Sequence, residues 1–236
     1  MSDQHIVSAF DRDLEAIQAL VVKMGGMVEE AILNSAKSLE TRDIELADKV
    51  RQADKAIDDL EIRINEEAAR TIALRAPVSK DLRTILTVLK IAASLERMGD
   101  YAKNMAKRTH VLSEMRPING PDAALRRMAR EVQGMLKHSL DAFISRDAEL
   151  AETVRQDDQD VDQMYNALFR EFLTFMMEDP RNITACMHLH FIAKNMERMG
   201  DLVTNIAEQV IYLVTGEMPD DPRPKSDDTA FVRKVD

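Results

Sequence analysis

Glu96-Arg97-Met98-Gly99-Asp100 recurs letter for letter as Glu197-Arg198-Met199-Gly200-Asp201. Each copy is followed, four residues past its aspartate, by an asparagine, Asn104 or Asn205. A five-residue identity holding a glycine and two acids points to duplication of a larger unit. Working outward from the motif, the correspondence continues. Residues 28–43 align with 132–147 at a spacing of 104, both ending in Arg-Asp. Glu45-Leu46-Ala47 matches Glu149-Leu150-Ala151, and Val50-Arg51-Gln52 matches Val154-Arg155-Gln156. Asp54 and Asp58 match Asp158 and Asp162. The motif itself repeats at a spacing of 101, so the turn before its second copy, near Asp179-Pro180, is three residues shorter.

The periodicity between these landmarks is helical. After a lead-in over 1–10, Leu14, Ile17, Val21, Met24, Val28, Ala31 and Ser35 recur at three- and four-residue steps, one face of a long helix. Gly25-Gly26 interrupts it, each glycine weakening it by about 1 kcal/mol. Thr41 or Asp43 is placed to cap the next helix. That helix carries a seam of Ala47, Val50, Asp54, Ile57, Glu61, Ile64, Ala68 and Thr71, and Pro77 ends it. Ser79 is the expected cap of the third, whose seam reads Leu82, Ile85, Leu89, Ala92, Glu96, Gly99 and Lys103. The strongest break in the chain is Arg116-Pro117-Ile118-Asn119-Gly120-Pro121. Beyond it the seams return as Ala151, Val154, Asp158, Val161, Tyr165, Leu168, Phe172, Phe175 and as Ile183, Cys186, His190, Ala193, Glu197, Gly200, Thr204. The expectation is an all-α chain of two tandem three-helix bundles related by internal duplication, each helix roughly 30 residues long. Residues 1–116 form the first bundle, 117–121 a linker, 122–215 the second bundle and 216–236 a flexible C-terminal tail.

Composition narrows the function. Aromatics make up 4% of 236 residues and Trp is absent, so the core must be aliphatic and Met-rich. A net charge of −10 speaks against nucleic-acid binding, which needs a basic face. The single cysteine, Cys186, fits a reducing compartment and reads as a small buried hydrophobe. The N-terminal stretch carries Asp3, Asp11 and Asp13 without an apolar leader pattern, and no window approaches 18 apolar residues. A cytoplasmic protein with no membrane insertion is the expectation. Neither a Gly-rich phosphate loop, nor a Ser/His/Asp set, nor a Cys/His cluster is present, so an enzyme acting on small molecules is poorly supported.

The acids carry the chemistry. With the turn between the second and third helices near residue 78, Asp58 lies 20 residues before it and Glu96 18 after it. At about 1.5 Å per residue both sit roughly 30 Å from the turn, with Asp54 and Asp100 one turn further. Antiparallel packing therefore gathers Asp54, Asp58, Glu96 and Asp100 into one patch. The same count gathers Asp158, Asp162, Glu197 and Asp201 into a second. Four carboxylates either raise one another's pKa or hold a cation. Hard ions suit such oxygen donors: magnesium, manganese, iron, calcium or zinc. Gly99 and Gly200 are expected to leave room for ions or waters. Asn104, Asn205 and Glu61 could add ligands or orient them, and His190 could do so in the second half alone, where Leu89 stands in the first. The competing readings are plainer: a solvated helix face for the acids, a core histidine for His190, packing for Met98 and Met199. Arg97 and Arg198 project about 100° from the acids and could offset charge, meet a partner or form surface salt bridges.

The doubled Glu-x-x-x-Asp motifs with their asparagines, together with Asp54-x-x-x-Asp58 and Asp158-x-x-x-Asp162, resemble the PhoU family over roughly residues 5–215. That resemblance implies a cytoplasmic negative regulator of phosphate uptake and of the phosphate-starvation response. It implies a non-enzyme coupling the ATPase subunit of the phosphate ABC transporter to a sensor histidine kinase, commonly as a homodimer. It also implies multinuclear metal at the acid motifs, iron in some members and other ions in others. Two alternatives stand beside it: a carboxylate-bridged metalloenzyme, and a metal-free helical scaffold.

Overall fold

Six α-helices carry the described residues: α1 (Ser2–Thr41), α2 (Ile44–Arg75), α3 (Lys80–Ser113), α4 (Pro121–Ser145), α5 (Ala148–Glu178) and α6 (Ile183–Thr215), with a 3-10 turn (Pro180–Asn182) before the last. The computed structural model describes residues 2–220, with side chains from residue 10 onward. Of the expected C-terminal tail, residues 221–236 lie outside the described residues. Residues 1–10 do not form a separate lead-in, because α1 already begins at Ser2. No Gly or Pro stands there to stop it. Helix lengths accordingly range from 25 to 40 residues. No described helix is long and apolar enough to cross a membrane.

The duplication is visible in the caps. Arg42 and Arg146 end α1 and α4 in the left-handed region, at φ of 53° and 54°. Asp43 then accepts a hydrogen bond from the Leu46 amide, and Asp147 from those of Glu149 and Leu150. Thr41 instead bonds back to the Lys37 carbonyl. Ser79 stands at the start of α3 but caps nothing with its side chain. Its φ of 51° lies outside the extended region from which an N-cap hydroxyl reaches back to the helix.

Within each half the three helices pack on one another, and the halves join through like helices, α1 on α4 and α3 on α6. Both joints are antiparallel. Arg126 pairs with Glu40, and Gln133 donates to Glu29 at 2.6 Å. Gln133 and Glu29 are corresponding positions of the repeat, so this bond marks a pseudo-twofold axis like that of an isologous dimer. Gly25 lets α4 approach: a methyl group there would collide with Leu140. Along the other joint, Arg83 stacks on Tyr212 at 5.4 Å, and Arg108 reaches His188 at 3.1 Å and lies over Phe191 at 4.4 Å. This register brings the middles of α3 and α6 to the same level, where Met98 and Met199 are both fully buried. The buried residues of both halves form one continuous core. It is aliphatic and Met-rich as the composition requires, with Phe143, Tyr165 and Phe172 as its buried aromatic members.

Candidate functional site

The acids lie against the interior rather than on a solvated face. Asp54, Asp158, Asp162 and Glu197 are each no more than 5% exposed. Burial of that degree demands compensation, because an isolated carboxylate loses several kcal/mol of hydration. Asp58, Glu96, Asp100 and Asp201 are half-buried at the rims.

In the first patch α2 and α3 bring the expected foursome together. Lys103 Nζ donates to Asp54 Oδ2 at 2.5 Å and to Asp100 Oδ1 at 3.1 Å. Burial raises the Glu96 pKa, reinforced by Asp100, Glu61, Asp58 and Asp54. Glu61 thereby joins the patch. Asp58 is raised by burial and then by Asp54, with Lys103 opposing. The hydrogen bond from Lys103 to Asp54 holds that ammonium above the usual lysine range, against the opposing effect of burial. Asp54 Oδ1 is buried with no hydrogen-bond partner.

In the second patch Asp158 crosses from α5 onto α6 at Gly200, between Glu197 and Asp201. A methyl group on Gly200 would stand 2.6 Å from Asp158 Oδ1 and 3.3 Å from Val161 Cγ1. Gly99 does the same in looser form, with Ile57 at 3.2 Å and Asp54 Oδ1 at 3.5 Å. The glycines therefore do not leave space for ions. They let the preceding helix lay a carboxylate and an aliphatic chain directly on the motif backbone. Lys194 Nζ lies 2.9 Å from Glu197 Oε2 and 4.8 Å from the Tyr165 ring centre.

The remaining candidates fall outside this arrangement. Asn104 and Asn205 are exposed. So are Arg97 and Arg198, and among the described residues no ion pair links either arginine to the patches. Charge balance comes instead from Lys103 and Lys194. Neither carried weight in the sequence reading, although Lys103 stood on the same seam as Glu96 and Lys194 one turn before Glu197. His190 packs among Tyr165, Phe169 and Phe191, its Nδ1 buried without a hydrogen-bond partner. Burial, then Lys194, lowers its pKa. Cys186 is fully buried, which pushes its thiol up.

The donor set fits a hard cation in chemistry: carboxylates from facing helices, with one buried oxygen unpartnered. It is not a finished ligand sphere. Among the described residues no group of three or more His, Cys, Asp or Glu side chains is arranged to hold a metal ion.

The first patch makes a pH prediction. Glu96 holds its proton to higher pH in the fold than in the unfolded chain. The folded state then binds more protons across that window, and stability falls as pH rises through it. In metal-free protein, Glu96→Gln is expected to raise the thermal midpoint at neutral pH. The gain should vanish below the ordinary glutamate value of 4.5. Melting curves across that range check this; a midpoint lowered at neutral pH would mean that Glu96 is stabilised by its surroundings instead.

Residues 21–109 and 125–210 each match the PhoU domain. A Rhizobium meliloti protein named phosphate-specific transport system accessory protein PhoU homolog is 44% identical over 235 residues, spanning 100% of this chain and 99% of its own. This chain belongs to the PhoU family. A Caulobacter vibrioides protein of the same name is 44% identical over 95% of this chain and 97% of its own. The crystal structure of PhoU from Pseudomonas aeruginosa superposes with a TM-score of 0.85 at 39% identity, covering 88% of this chain and all of that one. The phosphate transport system regulatory protein PhoU from Streptococcus pneumoniae does so at 0.83 and 31%, covering 89% and 99%. In this PhoU-family chain the two matched stretches each contain one acid patch.

Proposed function

We propose that this chain is a cation-binding regulatory adaptor of phosphate transport, acting in the cytoplasm without catalysis of its own. It restrains phosphate uptake and the phosphate-starvation response, standing between the ATPase subunit of the phosphate ABC transporter and a sensor histidine kinase, and it works as a homodimer. The names of its relatives support the transport role, as accessory and regulatory proteins. One observation carries the cation: each half brings acids from two helices together with at least one of them buried, and in the first half the buried Asp54 leaves Oδ1 without a hydrogen-bond partner.

Asp54, Asp58, Glu96 and Asp100 would hold one site, and Asp158, Asp162, Glu197 and Asp201 the other. Iron, manganese, magnesium and zinc suit these donors. A bound cation supplies positive charge that offsets the carboxylates and ties α2 to α3 and α5 to α6. The chain's own side chains do the positioning. Gly99 and Gly200 set the helix spacing, and Ile57 and Val161 fix the approach of the acids.

Elemental analysis of protein purified without chelator tests this, comparing wild type with Glu96→Ala/Glu197→Ala. The expected result is loss of most bound metal in the double variant. Equal metal in both would remove Glu96 and Glu197 as ligands, and no metal in either would leave a metal-free scaffold. A pulldown from cells grown in high and low phosphate checks the partners: the transporter ATPase and the kinase are expected to be retained.

A further inference from the structure

The two patches are built from the same acids but balanced by different cations. Lys103 stands inside the first, bonded at once to Asp54 from α2 and Asp100 from α3. The position that corresponds to it across the repeat is Thr204. That side chain is buried, and its hydroxyl turns back to the Asp201 carbonyl at 2.8 Å. Conversely Lys194, which pairs with Glu197, corresponds to Ala93 in the first half. Duplication therefore kept the carboxylates and changed the place of the ammonium.

We propose that Lys103 competes with a bound cation for the first patch, so that removing its ammonium tightens ion binding there. This rests on the cation-binding reading above. An ammonium is a compact point charge that satisfies carboxylate oxygens much as a metal ion does. Asp54 Oδ2 and Asp100 Oδ1 cannot serve both at full strength. A divalent ion entering between α2 and α3 must first displace Lys103 from both oxygens. The displaced side chain has somewhere to go, since it is already 41% exposed. Asp54 Oδ1, buried and unpartnered, then becomes a second oxygen for the ion. At the second patch the corresponding threonine carries no charge, and the ammonium stands instead at Lys194, 2.9 Å from Glu197 Oε2. Occupancy of the first site is thus coupled to release of Lys103 from its two carboxylates.

Titration of the full chain with Mn2+, followed by calorimetry and by the electron paramagnetic resonance of free Mn2+, separates the two sites. Glu197→Gln isolates the first patch and Glu96→Gln the second. In the Glu197→Gln background, Lys103→Gln and Lys103→Thr are each expected to tighten Mn2+ binding about tenfold, and Lys103→Arg to leave it weak. In the Glu96→Gln background, Thr204→Lys should weaken binding by a similar factor, while Lys103→Gln should change nothing. Circular dichroism confirms that each variant is folded. Unchanged or weaker binding at the first patch in both Lys103→Gln and Lys103→Thr overturns the competition while leaving the cation sites standing. Absence of saturable Mn2+ binding in wild type and in every Lys103 variant overturns the cation reading, and the competition with it.

Discussion

Met199→Asp is expected to cost more than about 4 kcal/mol and to leave little folded protein at growth temperature. Met199 is fully buried at the level where α3 and α6 cross, and its counterpart Met98 is equally buried. Losing the thioether chain alone costs about 2–5 kcal/mol, as for other large-to-small core changes. The new carboxyl would have to stay protonated or find a partner, and an unsatisfied buried polar group adds about 1–3 kcal/mol more. Met199→Leu, close in volume, should cost less than about 1.5 kcal/mol. Chemical denaturation of both variants measures the difference. If Met199→Asp unfolds at the denaturant concentration of wild type, the middle of the α3–α6 joint is not the dry core described for it. Met98→Asp should behave alike, since the pseudo-twofold axis places both methionines in equivalent surroundings.

That joint marks the limit of what the sequence could convey. The six helices and the duplication were legible because each helix repeats one apolar face at a period of 3.6 residues, and an exact motif fixed the alignment. The pairing of acids across α2 and α3 was legible too, because antiparallel helices of known rise turn a residue count into a depth. Docking of the halves was not. Its markers are polar or glycine: Gln133 on Glu29, Arg126 on Glu40, Gly25 under Leu140. Each alone reads as a surface group or a weak point in a helix. The roles of Lys103 and Lys194 escaped for a related reason. A lysine near acids is ordinary on any helix, and only tertiary placement separates a bridge to the neighbouring helix from a solvated charge. Ile183 makes the converse case. It fits the apolar seam of α6 but is 46% exposed, because it occupies the helix's first turn, beyond the reach of the bundle.

The contrast between the two motif glycines gives the sharpest test of how the patches are assembled. Alanine in place of a mid-helix glycine gains about 1 kcal/mol from backbone entropy alone. At Gly99 the new methyl meets Ile57 Cδ1 at 3.2 Å and Cγ2 at 3.3 Å, contacts that a shift of a few tenths of an ångström relieves. Gain and strain there are of similar size, so Gly99→Ala should fall within about 1 kcal/mol of wild type. At Gly200 the methyl meets Asp158 Oδ1 at 2.6 Å, with Val161 pressing beside it. Asp158 is 1% exposed, so its carboxylate has no solvent to retreat into. Overpacking of about 1–3 kcal/mol then exceeds the propensity gain. Gly200→Val, which adds bulk and gains less in propensity, should be the worst of the three, losing about 3 kcal/mol. Displacing Asp158 also dismantles the second patch, so Mn2+ binding there should weaken while the first patch keeps its affinity. Equal losses of stability at Gly99 and Gly200 would indicate a general intolerance of side chains at this helix contact. Selective loss at Gly200 ties the second glycine of the repeated motif to the aspartate on the preceding helix, which makes the motif and its partner a single unit.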